Sequence, residues 1–222
     1  MSLPTAPITL FVDAFFSTPF DFRAWVALSE KGLEFTVSRV MVDEGVGLSP
    51  SYKDQSVTAR VPGLAHGGFW MAESLAIIEY LEDAFPPPQW PPLWPDDLRA
   101  RARARQLVSF LGSDLYVLNR ERPSWTITYP VERPPLTSPA RAAADELLAI
   151  ASRVVTEGTL DTWSMASADL TFALLRLARN GESLAPELQS LVDQNLARPS
   201  VASYLGHARP PNPPLSGRRA LV

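Results

Sequence analysis

The first patterned feature of the chain is an unbroken apolar run at 8–12 (ITLFV), which suits a buried strand. From residue 18 the period lengthens. Phe20, Ala24, Ala27 and Leu28 fall on one helical face and Phe22, Trp25 and Val26 on another, so this helix is predicted to be covered on two sides. Thr18-Pro19 reads as its N-cap and first helical position, Asp21 is placed to return the bond of a capping box, and Gly32 is its stop. The β-branched stretch 33–42 (LEFTVSRVMV) predicts a second strand, and the polar stretch 43–60 a loop with a short helix about 49–54. Residues 60–85, RVPGLAHGGFWMAESLAIIEYLEDAF, carry two short apolar runs about Gly67-Gly68, a hairpin signal. After Glu73-Ser74 they continue as a helix with Leu75, Ile78, Leu81 and Phe85 on one face and Glu79, Glu82 and Asp83 on the other.

The order β-α-β-(loop)-β-β-α predicts a four-stranded mixed sheet, parallel then antiparallel, with helices packed on it. That is a thioredoxin-like arrangement, assigned here to residues 1–85. The segment 86–95 (PPPQWPPLWP) forbids a continuous helix and reads as a semi-rigid linker. Everything from 96 to 222 patterns as all-α. A long helix follows Asp96-Asp97 with a stripe of Leu107, Phe110, Leu111, Leu115 and Leu118. A second covers about 139–155 with Leu147, Ala151, Val154 and Val155 inward, and the proline-rich stretch 122–139 between them is a loop or lid with Trp125 and Tyr129. A third covers 165–179, capped by Ser164 with Ser167 three residues on, with Leu170, Ala173, Leu174, Leu177 and Ala178 inward. Two shorter helices near 186–195 and 200–207 complete a bundle, and the tail from Ala208 (ARPPNPPLSGRRALV) is expected to be poorly ordered. The fold class is therefore α/β plus all-α.

Composition narrows the chemistry. With 222 residues the chain can bury one large or two modest cores. A net charge of −4 offers no broad basic face to a nucleic acid. No cysteine is present, which excludes disulfides, thiolate metal sites and a protein-borne cysteine nucleophile. No apolar run approaches the ~18 residues of a membrane span, and the N-terminus lacks the pattern of a signal peptide. A cytoplasmic protein that engages no membrane is expected. His66 and His207 have no partner spacing that suggests a metal site.

In the order in which these elements occur, the chain resembles a cytosolic glutathione S-transferase. The resemblance rests on a hydroxyl residue before a helix beginning P-x-x-x-R (Thr18, Pro19, Arg23), the EKGLEF of 30–35, Val61-Pro62, and Glu73-Ser74 ahead of a helix that reaches YLE. The nearest kinds are bacterial, serine-type members near the omega, theta and zeta classes. The resemblance implies glutathione as co-substrate, a homodimer, and a small electrophile or peroxide as the second substrate. It implies that the bond before Pro62 is cis and that the Val61 backbone pairs with the cysteinyl backbone of glutathione as an added strand does.

The residue chemistry agrees with that assignment. Glu73 and Ser74 at a helix N-terminus match the ammonium and carboxylate of a γ-glutamyl group. A free thiol near pKa 8.5 is mostly protonated at neutral pH, and lowering it by about two units takes roughly 2.7 kcal/mol. One hydroxyl donating to an anion supplies about 1.5–3 kcal/mol of that. Ser17 and Thr18 are the two hydroxyls at the first helix. Thr18 matches the family position but is also the N-cap, and Ser17 is the unencumbered alternative; the sequence leaves both open. Lys53 and Arg60 are candidates for the glycyl carboxylate. Phe16, Phe110 and Asp114 are candidates for the electrophile pocket, with Phe15 and Tyr116 less specific. Arg99, Arg101, Arg103 and Arg105 form a solvated helix flank or a dimer contact. Without cysteine, conjugation, isomerisation and peroxide reduction remain available, but a mixed disulfide with the protein does not. The alternative to an enzyme is a non-catalytic relative that serves as a ligand-binding or protein-interaction module.

Overall fold

Strand β1 (Ile8–Asp13) is flanked on one side by β2 (Thr36–Val40), which runs parallel to it, and on the other by antiparallel β3 (Gly63–His66). Strand β4 (Phe69–Ala72) pairs antiparallel with β3, which gives the order β2-β1-β3-β4 in a mixed four-stranded sheet. The computed structural model describes residues 5–41, 50–55, 57–129 and 133–211, with the side chains of Pro50, Ser51 and Lys53 outside the described set. The predicted fold class is the one observed. β1 alternates as a two-faced strand should, with Ile8, Leu10 and Val12 buried and Phe11 on the other face. β2 is shorter than its apolar stretch because β1 supplies partners only from Thr9, opposite Thr36. The hairpin turn is made by Gly67 and Gly68, both at positive φ (57° and 91°), as a tight two-residue hairpin loop requires.

Helix α1 (Pro19–Glu30) crosses between the parallel strands, and its residues 21–28 are all buried, which meets the expectation of cover on two sides. Thr18 caps it, its Oγ1 accepting the Asp21 N–H at 3.0 Å. The return bond of a capping box is not what Asp21 makes: its Oδ2 takes the Asp13 N–H at 3.2 Å instead. Helix α2 (Pro50–Gln55) is the short helix expected in the loop. Helix α3 (Ser74–Ala84) buries Ser74, Ile77, Ile78 and Leu81. Leu75 was expected on that face and is exposed (38%), because a helix starting at Ser74 puts positions 74, 77, 78 and 81 in line and Leu75 one step off.

Lys31 at the end of α1 is 1% exposed, and its Nζ meets Glu82 Oε2 at 2.5 Å and the Phe85 carbonyl at 2.7 Å. Glu82 also accepts the Leu93 N–H at 3.1 Å, so one carboxylate joins the ends of α1 and α3 to the far end of the proline-rich segment.

The second unit runs from Trp94 to Ala202. It contains α4 (Leu98–Ser113), α5 (Tyr116–Glu121), a 3-10 turn (Ser124–Ile127), α6 (Ser138–Thr156), α7 (Met165–Ala178), α8 (Pro186–Leu196) and the start of α9 (Pro199–Leu205). Helix α7 is its axis, buried from Met165 to Leu177, with the Ser167 hydroxyl accepting the Ser164 N–H at 3.4 Å. The leucine stripe read as one helix is divided between α4 and α5. Ser113 at the break bonds the Ser109 carbonyl (3.0 Å) and the Asp114 carboxylate (2.5 Å), the backbone competition by which Ser and Asp end helices. In the basic run, Arg101 donates to the Pro95 and Asp96 carbonyls (2.9 and 3.1 Å), and Arg105 lies over Trp94.

The first unit runs to Leu93 and takes the chain back at Ser203, a return that the helical assignment of 96–222 did not contain. Within it, Trp25 Nε1 donates to Ser203 Oγ at 3.1 Å. Residues 208–211, expected to be poorly ordered, include an Arg209 that makes five hydrogen bonds to backbone carbonyls; residues 212–222 lie outside the described set. Among the described residues no helix is long and apolar enough to cross a membrane.

The Lys31–Glu82 pair generates an asymmetric prediction. Glu82→Ala leaves a buried ammonium without its counter-ion and is expected to cost about 3 kcal/mol, whereas Lys31→Met costs far less. Equal losses for the two variants in denaturant melts would refute this account.

Candidate functional site

Three connections gather at one end of the sheet, and the strand register is what gathers them. Phe11 stands opposite Gly63, and Gly63 opposite Ala72, across β1, β3 and β4. With strands about 4.8 Å apart, the exit of β1 (Asp13 to Thr18), the entry to β3 (Val61-Pro62) and the exit of β4 (Glu73-Ser74) lie side by side.

The Val61–Pro62 bond is cis. Pro62 is buried and Val61 half-buried. The turn before it is held by Tyr52 of α2, whose hydroxyl donates to the Arg60 carbonyl at 2.6 Å. The Tyr52 ring packs edge-on against Phe11 (5.2 Å) and Trp70 (5.9 Å). Burial, and after it the carboxyl of Asp21, push its phenol well above the usual range, so it stays a neutral donor. Gly63 fits against it with no room to spare: a Cβ there falls 1.8 Å from the Tyr52 hydroxyl.

Glu73 enters α3 with φ 73° and ψ 113°, a left-handed-side backbone that no glycine relieves, and its side chain makes no capping bond. Such a conformation costs about 1–3 kcal/mol and persists where the surroundings impose it. Glu73 is exposed and Ser74, at the first helical position, is 4% exposed. The first N–H groups of α3 point out of the helix here.

The two hydroxyls at α1 differ in their commitments. Ser17 is 5% exposed, and its Oγ donates to Asp13 Oδ2 at 3.3 Å. Thr18 is half-buried; its Oγ1 accepts the Asp21 N–H, and its hydroxyl also acts on the Asp21 carboxyl, lowering its pKa against the effect of burial. A hydroxyl both accepts and donates, so capping does not exhaust Thr18. Ser17, expected to be the unencumbered hydroxyl, is engaged as well as Thr18. Asp21 below them is fully buried with Oδ1 unpartnered; burial first and Asp13 second push its carboxyl well above the usual range, towards the neutral form.

The remaining candidates fall differently. Phe16 does not line an open pocket: it is fully buried, with His207 against it at 4.1 Å and Trp25 and Tyr204 edge-on, each at 5.8 Å. Phe15 is likewise buried. Asp114 is exposed at the C-cap of α4 and Phe110 half-exposed on the same helix, both in the second unit. Arg60 is exposed; Lys53 sits in α2 with its side chain outside the described residues. His66 donates to or accepts from the Tyr80 hydroxyl at 2.8 Å within the core. No cluster of metal-ligating side chains occurs among the described residues.

The matches to known proteins follow the same division. Residues 18–84 match the glutathione S-transferase N-terminal domain, and residues 97–208 match the C-terminal domain of the same family. The chain belongs to the glutathione S-transferase family. It is 32% identical, with a TM-score of 0.72, to a crystallised glutathione transferase homologue from Burkholderia with bound glutathione, over 96% of this chain and 100% of that one. Among curated relatives it is 38% identical to glutathione S-transferase 1 of Dianthus caryophyllus over 43% of this chain and 42% of that protein. It is 32% identical to maleylpyruvate isomerase of a Ralstonia species over 45% of this chain and 46% of that protein. The chain thus spans less than half the length of these curated relatives.

Sequence reasoning missed Tyr52, Asp13 and the residues after Ser203. Only Tyr52 left a signal, as a lone aromatic in a polar stretch eleven positions before a glycine. Gly63→Ala is expected to destabilise the protein by about 2 kcal/mol. Adding Tyr52→Phe should recover part of that loss, since the hydroxyl is the closest atom; strictly additive losses in a double-mutant cycle would refute the contact.

Proposed function

We propose that the protein is a glutathione transferase in which Thr18 stabilises the glutathione thiolate and the end of the sheet holds the peptide. The observation that carries this reading is the shared register of Phe11, Gly63 and Ala72, which sets a hydroxyl, a cis-proline turn and a helix N-terminus in one row. On this reading the γ-glutamyl carboxylate meets the first N–H groups of α3 and Ser74, and its ammonium meets Glu73. The cysteinyl backbone pairs with Val61, and the glycyl carboxylate lies towards Arg60 and Lys53. Glu73 suits this use, because it is exposed and its carboxylate is not spent on a capping bond.

At the sulfur, Thr18 accepts the Asp21 N–H and donates its hydrogen to the thiolate. The thiol proton leaves to solvent, and the sulfur then attacks an electrophile. The positive end of α1 adds to the stabilisation. Burial disfavours the charged form of Asp21, which reduces its opposition to that end. The substrate class offered to this thiolate is a small electrophile, including an activated olefin of the kind an isomerase handles, or a peroxide. By the same reading the protein works as a homodimer, and the exposed Phe69 of the hairpin (51%) and Leu75 of α3 (38%) are candidate contacts.

The test combines calorimetry with rates on an aryl halide, a cis-dienoic acid and a peroxide. Wild-type protein is expected to bind glutathione, with Thr18→Val losing about tenfold or more in rate and Ser17→Ala less. Absence of glutathione binding at millimolar concentration removes the proposal. Binding without turnover, unchanged by Thr18→Val, would instead identify a non-catalytic ligand-binding member. For the assembly, sedimentation is expected to give twice the chain mass, and a monomer at micromolar concentration refutes the dimer.

A further inference from the structure

The loop that carries both hydroxyls is gripped from behind by chain far away in sequence. Phe16 sits at φ +46°, outside the region open to a bulky side chain, and a residue in that state stays there only where neighbours hold it. The Arg209 guanidinium supplies that hold. Its Nε and Nη2 donate to the Phe16 carbonyl at 3.3 and 3.2 Å, across 193 positions. The same fork takes the carbonyls of Tyr204 (2.9 Å), Leu205 (2.7 Å) and His207 (2.7 Å), so it closes the C-terminal end of α9 and ties that end to the loop. Tyr204, fully buried, donates its hydroxyl to the Thr18 carbonyl at 3.1 Å. His207 lies over Phe16 with the rings tilted by 33°, and Arg39 faces the same ring at 5.1 Å. Burial, and after it Arg39 and Arg209, lower the His207 imidazole from its usual value and favour its neutral form beside the two guanidinium groups.

The backbone consequence is specific. In a trans peptide the carbonyl of one residue and the N–H of the next point in opposite directions. With the Phe16 carbonyl drawn to Arg209, the Ser17 N–H is turned to the other side. With the Thr18 carbonyl drawn to Tyr204, Thr18 is fixed where it enters α1. We propose that Arg209, assisted by Tyr204, is a positioning residue for thiol activation, holding Ser17 N–H and Thr18 Oγ1 in the geometry that meets the glutathione sulfur. This rests on the reading above that the sulfur lies against this loop. Neither residue touches the sulfur in this account; both act through the peptides at 16 and 18.

The experiment titrates the thiolate absorbance of the bound glutathione against pH, with calorimetric affinity measured in parallel, for wild type, Arg209→Gln, Arg209→Lys, Tyr204→Phe and Ser203→Ala. Ser203 accepts the Trp25 indole N–H and so ties the same tail to α1. Arg209→Gln is expected to raise the thiol pKa by about one unit, about tenfold less thiolate at a pH below both values. Glutathione affinity should change far less. Arg209→Lys keeps the charge but not the fork and should shift the titration nearly as far, while Ser203→Ala should leave it in place. Should Arg209→Gln fail to fold, Tyr204→Phe, which deletes a single hydroxyl, carries the test with a smaller shift in the same direction. Titrations of Arg209→Lys and Tyr204→Phe that superimpose on wild type overturn the proposal, as does an equal shift in Ser203→Ala. Failure of the underlying reading looks different: wild type itself then binds no glutathione, or leaves its thiol unshifted.

Discussion

The alignment of β1, β3 and β4 is the constraint on which the rest of the structure depends. The same alternation that sends Ile8, Leu10 and Val12 inward sets Phe11 opposite Gly63 and Gly63 opposite Ala72. A slip of one residue at the Gly67-Gly68 turn would carry buried side chains to the wrong face and displace the cis-proline turn by about 3.3 Å along the sheet. Core and site are therefore fixed by one register. The core supplies the energy that keeps it, which is why a strained Glu73 and a left-handed Phe16 are tolerated at the edge of an otherwise regular sheet.

The electrostatics of the hydroxyl loop follow from burial as much as from charge. Asp13 and Asp21 lie beneath it, the second with no exposure at all. Two carboxylates in such a place repel one another and are poorly solvated, so the pKa of Asp21 is raised, by burial first and by Asp13 second. Asp13 in turn accepts the Ser17 hydroxyl. Both hydroxyls at the start of α1 are therefore engaged by these two residues, Ser17 by Asp13 and Thr18 by Asp21.

Much of this was legible in the sequence where the signal was local and periodic. The capping Thr18, the Gly-Gly hairpin, the buried two-sided α1 and the Ser164–Ser167 start of α7 were each written within a few residues. Leu75 falls outside the buried face because neighbouring stripes of α3 satisfy the same spacing, and only what packs against the helix chooses between them. Asp21 was read as half of a capping box because that bond is local; its actual partner, the Asp13 N–H, belongs to a strand end. Phe16 looked like a pocket residue because nothing near it in sequence covers it. Its cover comes from Tyr204 and His207, which no periodicity connects to residue 16.

The division of the first unit between the two ends of the chain has a consequence for how the protein is made. The ribosome releases Leu93 and then must add 110 residues before Ser203 appears, a delay of roughly 5–20 s at ordinary rates of synthesis. For that interval the sheet can assemble, since all four strands have emerged, but the peptide after Phe16 has no guanidinium to bind its carbonyl. The nascent sheet thus waits with its hydroxyl loop untied until a segment more than a hundred residues further along has been made.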